Sequence, residues 1–333
     1  MKVKLGGYIQ EHSVRNKANE DIPVYSVTNT QGFCQDYFGK EVASKDKSTY
    51  KIVPRGYFAY NPSRINVGSV DWQRDEDQVI VSPLYNVFSV SPELNQQYLY
   101  YYLKSDFALH RIKAVATGSV RDNLKLEMLK NFPIRIPSVE EQEYIVQALD
   151  KAKNIIDLRR NELQKFDDLI KARFVEMFGD AYSNPRGLPV LEWDDVFNTT
   201  TGKLDSNAAT ENGAYPFFTC SKEALRIDKY AFDQEALLLA GNNAAGKYDV
   251  KHYNGKFNAY QRTYVLSLKQ EWSYALFKYQ LEDKLVYLQQ QSLGGLTKYL
   301  TMKILGDLTF LLPSMDEQKQ FEDFVAQIDK SKF

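Results

Sequence analysis

The strongest constraint on this 333-residue chain is that it repeats itself. Residues 116–142 have a counterpart at 292–318, at an offset of 176 and without a gap. Gly118, Leu124, Leu129, Pro137, Ser138, Glu141 and Gln142 recur as Gly294, Leu300, Leu305, Pro313, Ser314, Glu317 and Gln318. Upstream the match is looser: Ile22–Ser26 pairs with Tyr215–Thr219, and Tyr57–Tyr60 with Ala236–Leu239. A repeat limits architecture before any element is assigned, because each copy is expected to form the same structural unit. The length suits two domains, each able to bury its own core.

Each copy runs through one order of elements. Short β-like runs come first, such as Gln78–Val81, Asn86–Val90 and Tyr264–Leu268, punctuated by turn clusters such as Asn61-Pro62-Ser63. Helical stretches follow near 96–113 and 272–290. Each copy then closes on a helix opened by Pro-Ser and an acidic pair. Ser138 precedes Glu141 by three residues and Ser314 precedes Glu317 likewise, the spacing of a capping box. The pattern predicts an α+β chain with an internal pseudo-twofold repeat. Two similar mixed α/β domains occupy 1–137 and 181–312, and helices occupy 138–180 and 313–333.

The first closing helix is long. Ile145, Leu149, Ala152, Ile156, Leu163, Phe166, Ile170, Phe174 and Met177 recur at spacings near a heptad period, and Gly179 is a natural stop. At roughly 1.5 Å per residue it extends about 60 Å. Asp157, Arg159, Arg160, Lys165, Asp167 and Asp168 crowd the other face, so an amphipathic rod with one partner helix is expected. The second helix carries Phe321, Phe324, Val325 and Ile328, and a three-residue insertion aligns Asp329 with Asp150. The sequence reaches Phe333 before the equivalents of residues 155–179. The unmatched stretch, including Leu163, Phe166 and Ile170, is therefore expected to expose an apolar stripe. A partner subunit, a second copy or a separately encoded fragment would cover it.

Catalytic patterns are missing. His12, His110 and His252 lie far apart, without metal-ligand spacing, and Cys34 and Cys220 are too few for a zinc site or a disulfide framework. Neither a Gly-x-Ser-x-Gly elbow nor a His-Glu-x-x-His pair occurs. Gly241 to Lys247 imitates a phosphate-binding loop, but Tyr248 stands where a small hydroxyl is needed. The following Asp249–Gly255 reads as a turn rather than the required helix. Asn61-Pro62-Ser63-Arg64 likewise departs from the Asn/Asp-Pro-Pro-aromatic motif of amino-methylating enzymes. The chain is read as having no catalytic centre, metal or cofactor of its own.

Charge becomes informative only by segment. The net charge is -1, which on its face argues against a nucleic-acid partner. Yet residues 1–137 hold 18 basic against 14 acidic side chains, whereas 138–180 hold 7 against 10. The excess concentrates at 97–135, with 7 basic against 3 acidic, and at 242–303, with 9 against 4. Both windows flank or contain the matched Gly-bearing loops. Cations near phosphates supply affinity, and Asn, Gln, Arg and Tyr can read base edges.

The doubled pattern resembles the DNA-specificity subunit of type I restriction-modification systems. Its marks are Phe132–Gln142 and Leu308–Gln318, each closing one domain and opening a helix, and the tract Ala172–Asp180. The resemblance spans the whole chain. It implies two target-recognition domains, each reading half of a bipartite duplex-DNA site, with the helices packed as an antiparallel coiled-coil spacer. Methylation of adenine and cleavage would belong to partner subunits, two modification subunits and restriction subunits, which use S-adenosylmethionine, ATP and Mg²⁺. On this reading the first domain touches DNA through Arg55, Tyr60, Asn61, Arg64 and Asn66, with Ser119, Arg121 and Lys125. The second uses Asn242, Asn243, Lys247, Tyr260, Gln261 and Arg262, with Thr297 and Lys298. The helix interface comprises Ile145, Leu149, Ile156, Leu163, Phe166, Ile170 and Phe174 against Phe321, Phe324 and Ile328.

Two competing readings remain. One is a self-contained restriction or modification enzyme with a cryptic active site, and its mark would be methyl transfer or cleavage by the chain alone. The other is a carbohydrate- or protein-binding scaffold that uses the 23 Tyr and 3 Trp. Steep salt dependence of binding to duplex DNA would separate it. The N-terminus lacks the apolar stretch of a signal peptide, and no apolar run approaches a membrane span. A cytoplasmic location is expected.

Overall fold

The computed structural model describes residues 2–35, 46–116, 123–243, 246–295 and 297–332. The chain divides into two compact units, Met1–Leu158 and Arg159–Phe333.

The first unit is closed by its own ends. Strand Lys2–Lys4 pairs antiparallel with Pro133–Arg135, in the register Lys2 to Arg135. A four-stranded sheet follows the order Ile9–Glu11, Asn86–Val90, Phe58–Tyr60, Val70–Trp72. Side chains alternate across a strand, so Phe58 and Tyr60 enter one cluster with Phe88, Leu99 and Leu103. Ala59 and Val87 face the other way, into a second cluster with Val27, Val53 and Val79. Both faces are covered, which is why Phe58–Tyr60 is apolar at every position.

Helices α1 (Gln96–Lys104) and α2 (Asp106–Val115) supply Leu99, Leu103 and Ile112 to the first cluster. The single helical stretch expected at 96–113 is thus two helices. Ser105 adopts extended φ/ψ, and its Oγ accepts the Ala108 N–H at 3.3 Å, which caps a new helix. The short α3 (Leu126–Lys130) precedes the closing strand, and α4 (Val139–Phe178) follows it.

The second unit closes in the same manner, by Val190–Glu192 on Thr309–Leu311. Its sheet is larger, six strands in the order Phe197–Thr201, Thr263–Leu268, Phe232–Ala240, Val250–Ala259, Tyr215–Phe218, Leu225–Ile227. Leu237 and Leu239 face one cluster while Ala236 and Leu238 face another, as Phe58, Tyr60 and Ala59 do in the first unit. After the short α5 (Trp193–Val196), α6 (Tyr274–Asp283) and α7 (Leu285–Gln291) occupy the stretch expected at 272–290, divided at Lys284. The short α8 (Met302–Gly306) and α9 (Met315–Ser331) complete the unit.

The segment 249–255, expected as a turn, is mostly strand. Alternating burial from Val250 to Lys256 and the pairing of Val250–Phe257 with Phe232–Leu239 account for it. The loop before it departs from a phosphate cradle for a steric reason. A Cβ on Gly241 would lie 2.4 Å from the Arg262 carbonyl oxygen, so glycine here serves a close approach of two backbones.

The repeated Glu-Gln pair has a structural task. Gln142 is fully buried; its Oε1 accepts the Asn95 N–H at 2.8 Å and its Nε2 donates to the carbonyls of Glu93 and Pro137. Gln318 is 2% exposed; its Oε1 accepts the Ser273 N–H at 3.1 Å and its Nε2 donates to Pro313 O at 3.0 Å. Asn95 and Ser273 are the N-caps of α1 and α6. In each unit the glutamine therefore ties the closing helix to the start of an earlier one. The caps differ. Ser314 and Glu317 form a reciprocal capping box. In the first unit the Glu141 N–H donates to Ser138 Oγ at 3.3 Å, while the Glu141 carboxylate accepts from Arg135 at 2.6 Å.

In the second unit the last half of α4 packs antiparallel on α9. Phe321 meets Phe174 and Phe178 at centroid distances of 5.8 and 5.9 Å, Arg173 lies over Phe324, and Lys332 pairs with Asp167 at 3.0 Å. The Arg159 guanidinium donates to the Lys332 carbonyl. Partner numbers fall on α9 as they rise on α4. Ile170, Phe174 and Phe178 are buried, with Phe166 and Tyr279 packed beside them. This corrects the expected bare stripe: Ile170 is 9% exposed, and Leu163 and Phe166 are half-buried. The exposed apolar residues of α4 instead include Leu149 at 40% and Ile156 at 51%. An antiparallel partner sets the start of α9 against the end of α4, so coverage by α9 begins at the far end of the seam.

Candidate nucleic-acid interface

In the first unit the loop after strand Phe58–Tyr60 carries Asn61 and Arg64. Asn61 Oδ1 accepts the Ser63 N–H at 3.0 Å, which shapes the turn. Ser63 Oγ donates to Asn123 Oδ1 at 2.6 Å, and the Leu124 N–H donates to Pro62 O at 3.1 Å. Asn61, Arg64 and Lys125 are thereby held on adjoining loops. Arg64 and Lys125 are exposed, and among the described residues neither side chain has a hydrogen-bond or ion-pair partner. Such cations are the groups that a phosphate or base edge can recruit.

Three expected contacts sit differently. Tyr60 is fully buried, donates to Leu124 O at 3.0 Å, and has its pKa raised chiefly by burial. It supports the loops from the core and has no surface to offer DNA; Ala59 beside it is buried as well, on the opposite face of the strand. Arg55 donates to the carbonyls of Arg74 and Asp75 and to the Asp77 carboxylate, so its guanidinium holds the 74–77 turn. Asn66 lies half-exposed in a single 3₁₀ turn, Ile65–Val67. Ser119 and Arg121 lie outside the described residues.

A cavity of about 450 Å³ opens beside Asn61 and Arg64. Tyr25, Asn29 and Tyr50 also line it. Burial, with Glu76 and Asp75 nearby, pushes the Tyr25 pKa up, so its hydroxyl stays protonated at neutral pH and can donate. Lys104 Nζ donates to both Asn29 O and Asn29 Oδ1, at 2.9 and 3.2 Å, which fixes that amide.

In the second unit Asn242 and Asn243 form a short ladder with Tyr299 and Lys298. They line a cavity of about 300 Å³ with Tyr260, Thr297 and Cys220. Arg262 and Lys247 are exposed, without a side-chain partner among the described residues. Gln261 Nε2 donates to Asp205 Oδ2 at 3.3 Å, and Lys298 is half-buried. Thus Asn242, Asn243, Tyr260 and Thr297 converge on one cavity, and Asn61 and Arg64 on another. Tyr25, Asn29 and the Thr219–Ser221 segment were missed from sequence. For Tyr25 and Thr219 the signal was the loose match between Ile22–Ser26 and Tyr215–Thr219; Asn29, Cys220 and Ser221 lie beyond it.

The histidines are spread through other contacts. His12 packs edge-on to Tyr57 and burial pushes its pKa down; His110 Nδ1 meets Asp106 O; His252 pairs with Glu235 and stacks on Tyr274. Among the described residues no group of three or more His, Cys, Asp or Glu could hold a metal ion. No helix there is long and apolar enough to cross a membrane.

The family described as "Type I restriction modification DNA specificity domain" matches twice, over residues 2–166 and 185–333. The type I restriction enzyme EcoDI specificity subunit of Escherichia coli is 38% identical over 149 residues, which are 43% of this chain and 32% of that protein. The MjaVIII specificity subunit of Methanocaldococcus jannaschii is 23% identical over 93 residues, 28% of this chain and 22% of that protein. The matched stretches therefore span a third or less of these curated relatives. The crystal structure of a type I restriction-modification S subunit from M. genitalium aligns over 100% of this chain and 90% of that one. Its TM-score is 0.56 at 15% identity, a likeness of fold.

Proposed function

The chain belongs to the type I restriction-modification DNA-specificity family, and from that premise we propose that it is the sequence-reading subunit of such a complex. Residues 1–137 and 181–312 each read one half of a bipartite duplex site, about one turn of DNA apart. The helices at 138–180 and 313–333 set the spacing. The chain itself performs no chemistry. Modification subunits methylate adenine with S-adenosylmethionine, and restriction subunits use ATP and Mg²⁺. The exposed seam of α4 between Ile145 and Ile156 receives a helix of a modification subunit.

One observation carries this reading. Each repeat copy has a cavity lined by asparagine and tyrosine, with Arg64 on the wall of the first, and each carries exposed cations on nearby loops, Lys125 in one unit and Lys247 and Arg262 in the other, whose side chains have no partner among the described residues. A basic excess confined to segments such as 97–135 and 242–303, in a chain of net charge -1, fits a subunit whose grip on DNA is shared with partners.

Selection from random duplex DNA, with the chain assembled on its modification subunits, is the test. The expected result is a split consensus with a fixed gap. A continuous site or no enrichment would overturn the proposal, and so would methyl transfer or cleavage by the purified chain alone.

A further inference from the structure

The two cavities are built from the same two pieces of the repeat. In the first unit Ser26, Val27 and Thr28 line one wall and Asn61 another. In the second, Thr219, Cys220 and Ser221 line one wall and Asn242 another. Ser26 and Thr219 end the loosely matched segments Ile22–Ser26 and Tyr215–Thr219, and the remaining wall residues directly follow them. Asn61 directly follows the matched central segment Tyr57–Tyr60, and Asn242 comes two residues later after its counterpart Ala236–Leu239, so the second wall is shared by segment and not by register. The surrounding sheets differ, four strands against six, yet the cavity recurs.

Its polar groups are biased toward donors in the first unit. Asn61 Oδ1 is engaged by the Ser63 N–H and Asn29 Oδ1 by Lys104, which leaves each amide Nδ2 to donate. Among the described residues, the Tyr25 hydroxyl and the Arg64 guanidinium have no hydrogen-bond partner. The volume falls within the range of ligand-binding clefts, ~300–1,000 Å³, and Tyr25, Val27 and Tyr85 supply apolar wall. A planar group bearing acceptors fits such a lining. In duplex DNA the O6 and N7 edge of guanine has that chemistry, and a phosphate oxygen shares it without the planar surface.

We infer that the cavity of the first unit receives an acceptor-bearing base edge, with Tyr25 as a specificity-determining residue beside Asn61 and Arg64. In the second unit the register counterpart of Tyr25 is Phe218, and the donor on the equivalent wall is Ser221, in the place of Thr28. The inference rests on the DNA-reading function proposed above and adds the residues and the kind of edge they read.

The test is the same random-duplex selection on the full chain with its modification subunits, comparing wild type, Tyr25→Phe and Ser221→Ala. Tyr25→Phe keeps the ring against Phe33 and removes one donor. It should relax preference at one position of one half-site, about two- to tenfold, and leave the other half-site unchanged. Ser221→Ala should relax a position in the opposite half-site. An unchanged consensus in Tyr25→Phe, beside a wild-type split consensus, overturns this inference alone. A uniform loss of affinity across all sequences also overturns it, since that marks a backbone contact without base readout. A wild-type chain that selects no consensus overturns the functional reading and this inference with it.

Discussion

The two halves of α4 share one helix and one apolar period, and they meet opposite fates. Toward the C-terminus Ile170, Phe174 and Phe178 are buried against Phe321, Ile328 and Leu276. Toward the N-terminus Leu149 and Ile156 continue the same seam while 40% and 51% exposed. The difference teaches that a heptad-like pattern specifies a face, whereas burial needs a partner at the right height. Where α9 stands, the seam is core. Where it does not, the first unit anchors the helix by polar contacts instead, through Gln142 and through the Tyr101 hydroxyl on Asp150.

Substitutions along the helix can break that contrast. The largest effect is expected for Phe174→Ala, which empties a site touched by Phe178, Tyr279 and Phe321. It should lower unfolding stability by about 3–5 kcal/mol in urea titrations. A loss no larger than that of Ile156→Ala would erase the distinction between covered and bare halves.

A middle-sized effect belongs to the glutamine ties. Gln318→Ala leaves the Ser273 N–H without its acceptor and should cost about 1–3 kcal/mol. Amide exchange at the start of α6 should accelerate. Gln142→Ala should do the same at the start of α1; a silent result in either unit would mean that the repeated motif has unequal roles.

The pH dependence should be smaller. Hydrogen bonds from Arg186 and Ser314 hold the Glu317 carboxyl below its usual range. The depressed value means stabilisation is complete above the ordinary glutamate pKa and is lost as pH falls through the lowered one. Thermal midpoints of wild type and Arg186→Gln should therefore converge on acidification. A gap that widens in acid would reverse the sign of this argument.

The smallest stability change, within about 0.5 kcal/mol, is expected for Leu149→Ser with Ile156→Ser. Light scattering should nevertheless show weakened assembly with modification subunits. Intact assembly would place their contact elsewhere.

Much of the fold was legible because its signals are local. Ser314 three residues before Glu317, the spacing of apolar positions along 145–177 and the glycine at 179 each describe a helix by its own residues. The cap at Ser105 is equally local, yet the helical pattern on both sides concealed the break. Strand Val250–Ala259 was hidden because His252, Asn254 and Gly255 read as turn formers until Phe232–Ala240 supplies a partner. The site was only partly legible. Asn61 and Arg64 could be named from their loop, but Tyr60 next to them is core, and Tyr25 reaches the cavity from a distant segment.

The sequence by itself determined that there are two copies, that each closes on a helix, and which face of that helix is apolar. Those properties follow from short-range spacing and from matching one stretch of the chain against another. Only the tertiary structure decided which part of the apolar seam is covered, why the paired glutamines recur, and which polar residues share a cavity. Each of these depends on groups tens to hundreds of residues apart meeting within hydrogen-bond or packing distance. No periodicity within a single segment encodes such a meeting.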